Sequence, residues 1–136
     1  MKKVHLIVLI LFFAIQCGKS LPEQLLGVWE NTMICPAQGE CKNPGVSKGA
    51  RLTILKDGFA KYADPSLKGK EMHIHYVLQE EETKSKSPEL AFVFTEYGFE
   101  IRYIVKRISE KELELFNLDP KKETLETYVK IGTLTE

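Results

Sequence analysis

Apolar and polar side chains alternate with a period of two along almost the whole chain from Val28 onward, and no stretch there has a convincing helical period. Such alternation is typical of β-strands that bury only one face. Turn-forming residues divide the pattern into eight segments, which predicts eight strands. Their approximate ranges are 28–34, 50–55, 59–63, 71–79, 89–95, 99–108, 112–118 and 124–131.

Most connections between these segments are short, so strands that are adjacent in sequence are expected to pair as antiparallel hairpins. Eight such strands could form a two-sheet sandwich or a closed barrel. The up-and-down order favours the barrel, which also removes exposed sheet edges. We therefore predict an all-β fold, an eight-stranded antiparallel up-and-down barrel, with a short helical turn before it at Pro22 to Leu26.

The turns indicate which side chains point inward. A three-residue loop over 56–58 pairs Leu52 with Tyr62 and Ile54 with Ala60, which keeps these side chains on one inner face.

Two later hairpins give further expectations. An even-numbered loop after Phe94 is expected to pair that residue with Ile101 and to pair Phe92 with Tyr103. In the following hairpin, the apolar residues of both strands share a face only if a bulge lies near residues 106–107, so we predict one there.

The N-terminus has the features of a secretory signal peptide. Lys2 and Lys3 precede a run of 12 residues that is apolar apart from His5. This run is too short to cross a bilayer, which takes about 20 residues. A spanning helix is therefore not expected.

The run ends in Ala14-Ile15-Gln16-Cys17, which resembles a relaxed bacterial lipobox, whereas a general signal peptidase would find no clean Ala-x-Ala site. We expect residues 1–16 to be a lipoprotein-type signal peptide, and residues 17–20 to form a tether in which Cys17 carries diacylglycerol and acyl chains such as palmitate. Two or more acyl chains hold a protein firmly on a membrane. Lys19 resembles an outer-membrane sorting position, so the expected location is the bacterial outer membrane.

Cys35 and Cys41 enclose a short loop, "ICPAQGEC". In an oxidising compartment this spacing predicts a disulfide. The chain-entropy contribution of so small a loop is about 2 kcal/mol. A metal or redox pair is the alternative, but five intervening residues are not the usual spacing for either.

Several of these segments resemble one family. "LLGVWENT" (25–32) resembles the Leu-x-Gly-x-Trp opening of lipocalins, "RLTILKDGFAKY" (51–62) their second and third strands, and "YIVKRISEKELELF" (103–116) with "TYVKI" (127–131) their closing strands. The chain is thus similar to the small bacterial lipocalin-like domains from Leu21 to about Ile131, and the expected lipocalin-like domain spans residues 21–136.

The resemblance carries expectations about particular residues. It implies that Gly27 and Trp29 lie at the closed end of the barrel, with Trp29 as a plug. It also implies a basic side chain over this tryptophan, and the basic residue on the last strand is Lys130, in place of an arginine.

The barrel interior is the candidate binding site. An eight-stranded barrel is just wide enough to be filled by its own side chains or to hold one small ligand, and both outcomes stay open here. Three interior tyrosines could supply polar groups to a ligand. The expected lining residues are Leu52, Ile54, Tyr62, Met72, Ile74, Tyr76, Phe92, Phe94, Ile101, Tyr103 and Leu115.

Polar residues suitable for catalysis or metal binding are few. Glu71, His73 and His75 share the outward face of one strand and could bind a transition metal, but a plain polar strand surface is the favoured interpretation. Two strand histidines give no Ser-His-Asp set, and there is no phosphate-binding glycine loop. We expect neither an enzyme nor a cofactor.

Charge excludes one class of partner. Without Lys2 and Lys3 the chain has 17 basic and 19 acidic residues, so no nucleic-acid partner is expected.

The favoured function is non-catalytic binding of a small hydrophobic molecule, such as a fatty acid or other lipid. The alternative is a filled barrel that contacts an envelope or host protein, as an interaction or inhibitor-type module, through loops 35–49 and 80–88.

Overall fold

The computed structural model describes residues 18–44, 49–80 and 87–134. The expected signal peptide and Cys17 lie outside these ranges, as do parts of the two loops assigned to the interaction hypothesis. Within the described ranges, no helix is both long enough and apolar enough to cross a membrane.

One short helix and eight strands make up the fold, with 3₁₀ turns at Lys56–Gly58 and Pro65–Leu67. The strands pair antiparallel in sequence order, and the last pairs with the first to close a barrel. The predicted eight-stranded up-and-down barrel is thus confirmed. The elements are α1 (Leu21–Leu25), β1 (Gly27–Pro36), β2 (Arg51–Ile54), β3 (Phe59–Ala63), β4 (Glu71–Gln79), β5 (Glu89–Phe94), β6 (Phe99–Ile108), β7 (Glu112–Asn117) and β8 (Thr124–Gly132).

Helix α1 begins where the sequence supplies a start signal. The backbone N–H of Ser20 donates to the Glu23 carboxylate over 3.3 Å, and Pro22 occupies the first turn, where it costs no hydrogen bond. The helix ends after one turn at Leu25, whose side chain is completely buried. Its role is to cover one end of the barrel.

The turn between β2 and β3 has the predicted register. Leu52 pairs with Tyr62 and Ile54 pairs with Ala60. Asp57 and Gly58 both have a positive φ, 65° and 78°. Aspartate and glycine tolerate this left-handed conformation better than other residues, so the sequence suits the turn.

The turn between β5 and β6 differs from the prediction. Phe94 pairs with Phe99, so the expected pairing of Phe94 with Ile101 and of Phe92 with Tyr103 is wrong by two residues. The connection is a four-residue turn closed by backbone bonds to the Phe94 carbonyl, rather than a two-residue turn. A shift of two leaves every side chain on its original face, so the inward assignment of the strands survives.

The hairpin of β6 and β7 contains the predicted bulge. Val105 pairs with Leu115 and Ile108 with Leu113, and the register shifts between Val105 and Arg107. One extra residue on β6 therefore lets the apolar side chains of both strands face the core.

Successive connections alternate between the two ends of the barrel because all neighbours are antiparallel. The closed end holds α1, turn 55–58, turn 109–111 and the adjoining ends of β4 and β5. The open end holds loop 64–70, turn 95–98, loop 118–123 and the adjoining ends of β1 and β2. The most deeply buried large side chains are Trp29, Leu25, Ile54, Leu90, Leu113 and Leu115.

Trp29 plugs the closed end. Its side chain is fully buried, and its indole N–H donates to the carbonyl of Leu25 over 2.8 Å. The Lys130 ammonium lies 4.6 Å from the centre of the Trp29 ring and donates to the carbonyls of Gln24 and Leu26 over 3.1 and 3.0 Å. A basic side chain thus covers the tryptophan, and the same ammonium binds two carbonyls at the end of α1.

A disulfide joins Cys35 and Cys41, as predicted. It lies at the open end, where Ile34 and Lys42 exchange two backbone hydrogen bonds of 2.9 and 2.7 Å. The bridge therefore fixes the chain where it leaves β1.

Candidate functional site

A cavity of about 440 Å³ lies inside the open half of the barrel. Its size falls within the range of sites that bind small molecules, so the described interior is not filled by its own side chains. Eight of the eleven residues expected from the sequence line it, and they come from β2 to β6: Leu52, Tyr62, Met72, Ile74, Phe92, Phe94, Ile101 and Tyr103.

The other three expected residues do not reach this cavity. Ile54 and Leu115 are completely buried in the core. Tyr76 is half-buried, and its hydroxyl donates to the carbonyl of Leu55 over 2.9 Å, beside the turn at the closed end. These three side chains therefore contact the surrounding protein rather than the cavity.

Strand β8 supplies a polar wall of the cavity that was not predicted from the sequence. Tyr128 pairs with Leu113, and Glu126 pairs with Leu115, so both face inward with these leucines. The Tyr128 hydroxyl donates to the Glu126 carboxylate over 3.0 Å. Tyr103, from β6, lines the cavity with them and lies near enough to influence the ionisation of this carboxylate.

The surroundings of Glu126 alter the ionisation of the whole group. Burial raises the pKa of the Glu126 carboxyl, and the hydrogen bond from Tyr128, the nearby Tyr103 hydroxyl and the charge of Lys122 offset this only in part. Burial and the neighbouring Glu126 raise the pKa of Tyr103 and Tyr128. Both phenols therefore stay neutral and can donate hydrogen bonds.

A second carboxylate lies near the mouth of the cavity. Asp64 accepts hydrogen bonds from the Ser66 hydroxyl (2.6 Å) and backbone N–H (2.8 Å), and from the Tyr62 hydroxyl (3.2 Å). The bonds from Ser66 lower the pKa of Asp64, so this group remains charged at neutral pH.

The cavity communicates with the surface. A second hollow of about 720 Å³ opens between β1, β6 and the loop before β8. It shares five lining residues with the interior cavity, and a ligand could therefore enter past them: Ile34, Ile101, Tyr103, Lys122 and Glu126.

The strand residues considered for metal binding point outward, as expected. The Glu71 carboxylate pairs with Lys61 over 3.4 Å and lies 3.8 Å from Nε2 of His73. The His75 ring lies 4.9 Å from the ring of Phe59. Among the described residues, no group of three or more His, Cys, Asp or Glu side chains could hold a metal ion.

No family model matches the chain, and no curated protein or solved structure matches it either. Function must therefore be inferred from the residues and geometry of the barrel.

The cavity combines two kinds of wall. Aromatic and aliphatic side chains from β2 to β6 form one side, and the carboxylate and hydroxyl groups around Glu126 form the other. Such a lining suits a molecule with an apolar body and one polar group.

Proposed function

We propose that this chain is a non-catalytic binding protein for a small, largely apolar ligand held inside the barrel. The interior cavity of about 440 Å³ carries this proposal, since a barrel that serves only as a scaffold gains stability by filling its core. The cavity also favours ligand binding over the alternative of a filled barrel that acts only through its loops.

The walls suit this role because closed β-structure fixes them before a ligand arrives. Leu52, Ile74, Phe92 and Phe94 are all at most 4% exposed, and each lies on a strand paired on both sides. A ligand buries the apolar surface that half-buried lining residues such as Ile101 still expose, and this contributes about 25 cal/mol for each Å². A preformed site also avoids the cost of ordering side chains on binding.

The lipocalin resemblance supports the same function. Three features agree with what the resemblance implies. They are a closed barrel of eight antiparallel strands, a glycine and a tryptophan at its closed end, and a lysine over that tryptophan. We therefore propose that the chain belongs with the bacterial lipocalin-like proteins.

Blocking the entry to the cavity is expected to weaken binding of an apolar probe. Ile101 lines both the cavity and its mouth, so the substitution Ile101→Trp places a larger side chain in the entry. We expect at least about tenfold weaker binding of N-phenyl-1-naphthylamine, a neutral fluorescent probe, which corresponds to about 1.4 kcal/mol. Fluorescence titration of the full chain measures this.

The control for that variant is Ile131→Trp, which introduces the same change on the outer face of β8, where the side chain is 46% exposed. This variant is expected to bind the probe as the parent protein does. The ligand-binding proposal fails if the parent does not bind the probe, or if both variants bind it equally well.

We further propose that Cys17 is lipidated after removal of residues 1–16 and that the acyl chains hold the protein in the bacterial envelope, at the outer membrane. The described chain supports a short tether, since Gly18 to Ser20 are exposed and α1 starts at Leu21. Replacing Cys17 with alanine is expected to move the protein from the membrane fraction to the soluble fraction, because the acyl chains supply the anchoring energy. Immunoblots of fractionated cells test this, and unchanged membrane association would contradict it.

A further inference from the structure

The carboxylate of Glu126 lies inside a cavity whose other walls are largely apolar. Glu126 is only half-buried, because its side chain faces the cavity and the mouth of the barrel rather than the core. A carboxylate can accept about four hydrogen bonds. Tyr128 supplies one of these over 3.0 Å, so the group retains the capacity to accept further donors from a ligand.

The charges that face this space favour a cation. Among the described residues that line the interior cavity, the charged ones are Asp64, Lys122 and Glu126. Asp64 is already bound by Ser66 and Tyr62, and Lys122 is exposed on the loop before β8. Two carboxylates against one ammonium leave an excess of negative charge, which a cationic head group would neutralise.

The rings around Glu126 suit the same kind of head group. Three tyrosines from three different strands line the cavity: Tyr62, Tyr103 and Tyr128. The charge of Glu126 contributes to the raised pKa of all three. Aromatic rings attract organic cations, most strongly where water is displaced from the contact. A carboxylate among tyrosine rings is therefore a suitable environment for an ammonium group.

We propose that the ligand is an organic amine with an apolar body, whose ammonium group pairs with Glu126 beside the tyrosine rings while the body lies against Met72 and Ile101. This inference rests on the proposed function and specifies its ligand class. It replaces the fatty acid expected from the sequence, because a carboxylate head group beside Glu126 would meet a like charge inside the cavity.

Three ten-carbon competitors that differ only in head group test this proposal: decylamine, decanol and decanoate. Each is titrated at pH 7 against N-phenyl-1-naphthylamine bound to the full chain. We expect decylamine to displace the probe at a concentration at least about tenfold lower than decanoate does, as a charge-assisted pair of modest strength predicts. In Glu126→Gln this preference for the amine is expected to fall by about tenfold, while displacement by decanol stays the same.

Glu110→Gln is the matched control, since Glu110 is exposed in the turn between β6 and β7 at the opposite end of the barrel. It should keep the preference of the parent protein. The proposal is overturned if decanoate competes as well as decylamine in the parent protein, a result that does not depend on any variant. It is also overturned if the preference for the amine survives in a Glu126→Gln protein that circular dichroism shows to be folded. If neither the probe nor decanol binds, the ligand-binding function itself fails, which separates the two outcomes.

Discussion

Replacing Trp29 with alanine is expected to destabilise the barrel by about 3–5 kcal/mol, the usual cost of removing a buried tryptophan. The side chain is completely buried, so its loss leaves a void that the closed sheet cannot collapse to fill. It also leaves the Leu25 carbonyl without its indole donor and Lys130 without its aromatic partner. Domains of this size have about 5–15 kcal/mol of stability in total, so this single change removes a large part of it.

Urea unfolding measures the effect, and two further variants separate its causes. Trp29→Phe keeps a ring under Lys130 but removes the N–H, so it should lose less stability than the alanine variant. Tyr97→Ala removes an aromatic side chain that is 60% exposed and should change stability by no more than about 0.5 kcal/mol. A Trp29→Ala protein as stable as Tyr97→Ala would show that the closed end does not depend on its plug.

Replacing Gly27 with alanine is expected to cost about 2–4 kcal/mol, from backbone strain and crowding together. Gly27 has a φ of +138°, a conformation that residues with a side chain rarely adopt. An added β-carbon would also lie 2.9 Å from the Gly132 carbonyl oxygen and 3.2 Å from Cε of Lys130. The lysine would have to move away from Trp29, so the effect should reach the plug.

Gly132→Ala is the matched control for this change, because it alters a glycine that lies next to Gly27 across the sheet. A β-carbon there would have Val28 as its nearest neighbour at an ordinary 3.6 Å, and its φ is not positive. The control is expected to unfold at nearly the parent temperature, whereas Gly27→Ala unfolds well below it in a thermal melt. Equal melting temperatures for the two variants would remove the special role of Gly27.

The barrel could be predicted from the sequence because two local signals agree along most of the chain. Alternation assigns the inward face of each strand, and short turns allow only antiparallel neighbours. The pairing register after Phe94 could not be predicted in this way. Loops that differ by two residues place side chains on the same faces, so the pattern could not distinguish the observed pairing of Phe94 with Phe99 from the expected one.

The polar side of the cavity was harder to predict because β8 has apolar residues on both faces. Leu125 and Val129 suggest one inward face, whereas the pairing with β7 turns Glu126 and Tyr128 inward instead. One signal could have indicated this. A lysine at position 130 that covers Trp29 must point inward, and a strand period of two then places Tyr128 and Glu126 on the same side.

The position of α1 determines how the proposed tether would orient the molecule. This helix covers the end of the barrel opposite the mouth, and residues 18–20 reach at most about 10 Å beyond it. With Cys17 embedded in a bilayer, the Trp29 end would rest on the lipid surface and the entrance would face the aqueous compartment. Cargo would then be exchanged with solution or with a neighbouring protein, rather than drawn from the membrane that holds the anchor.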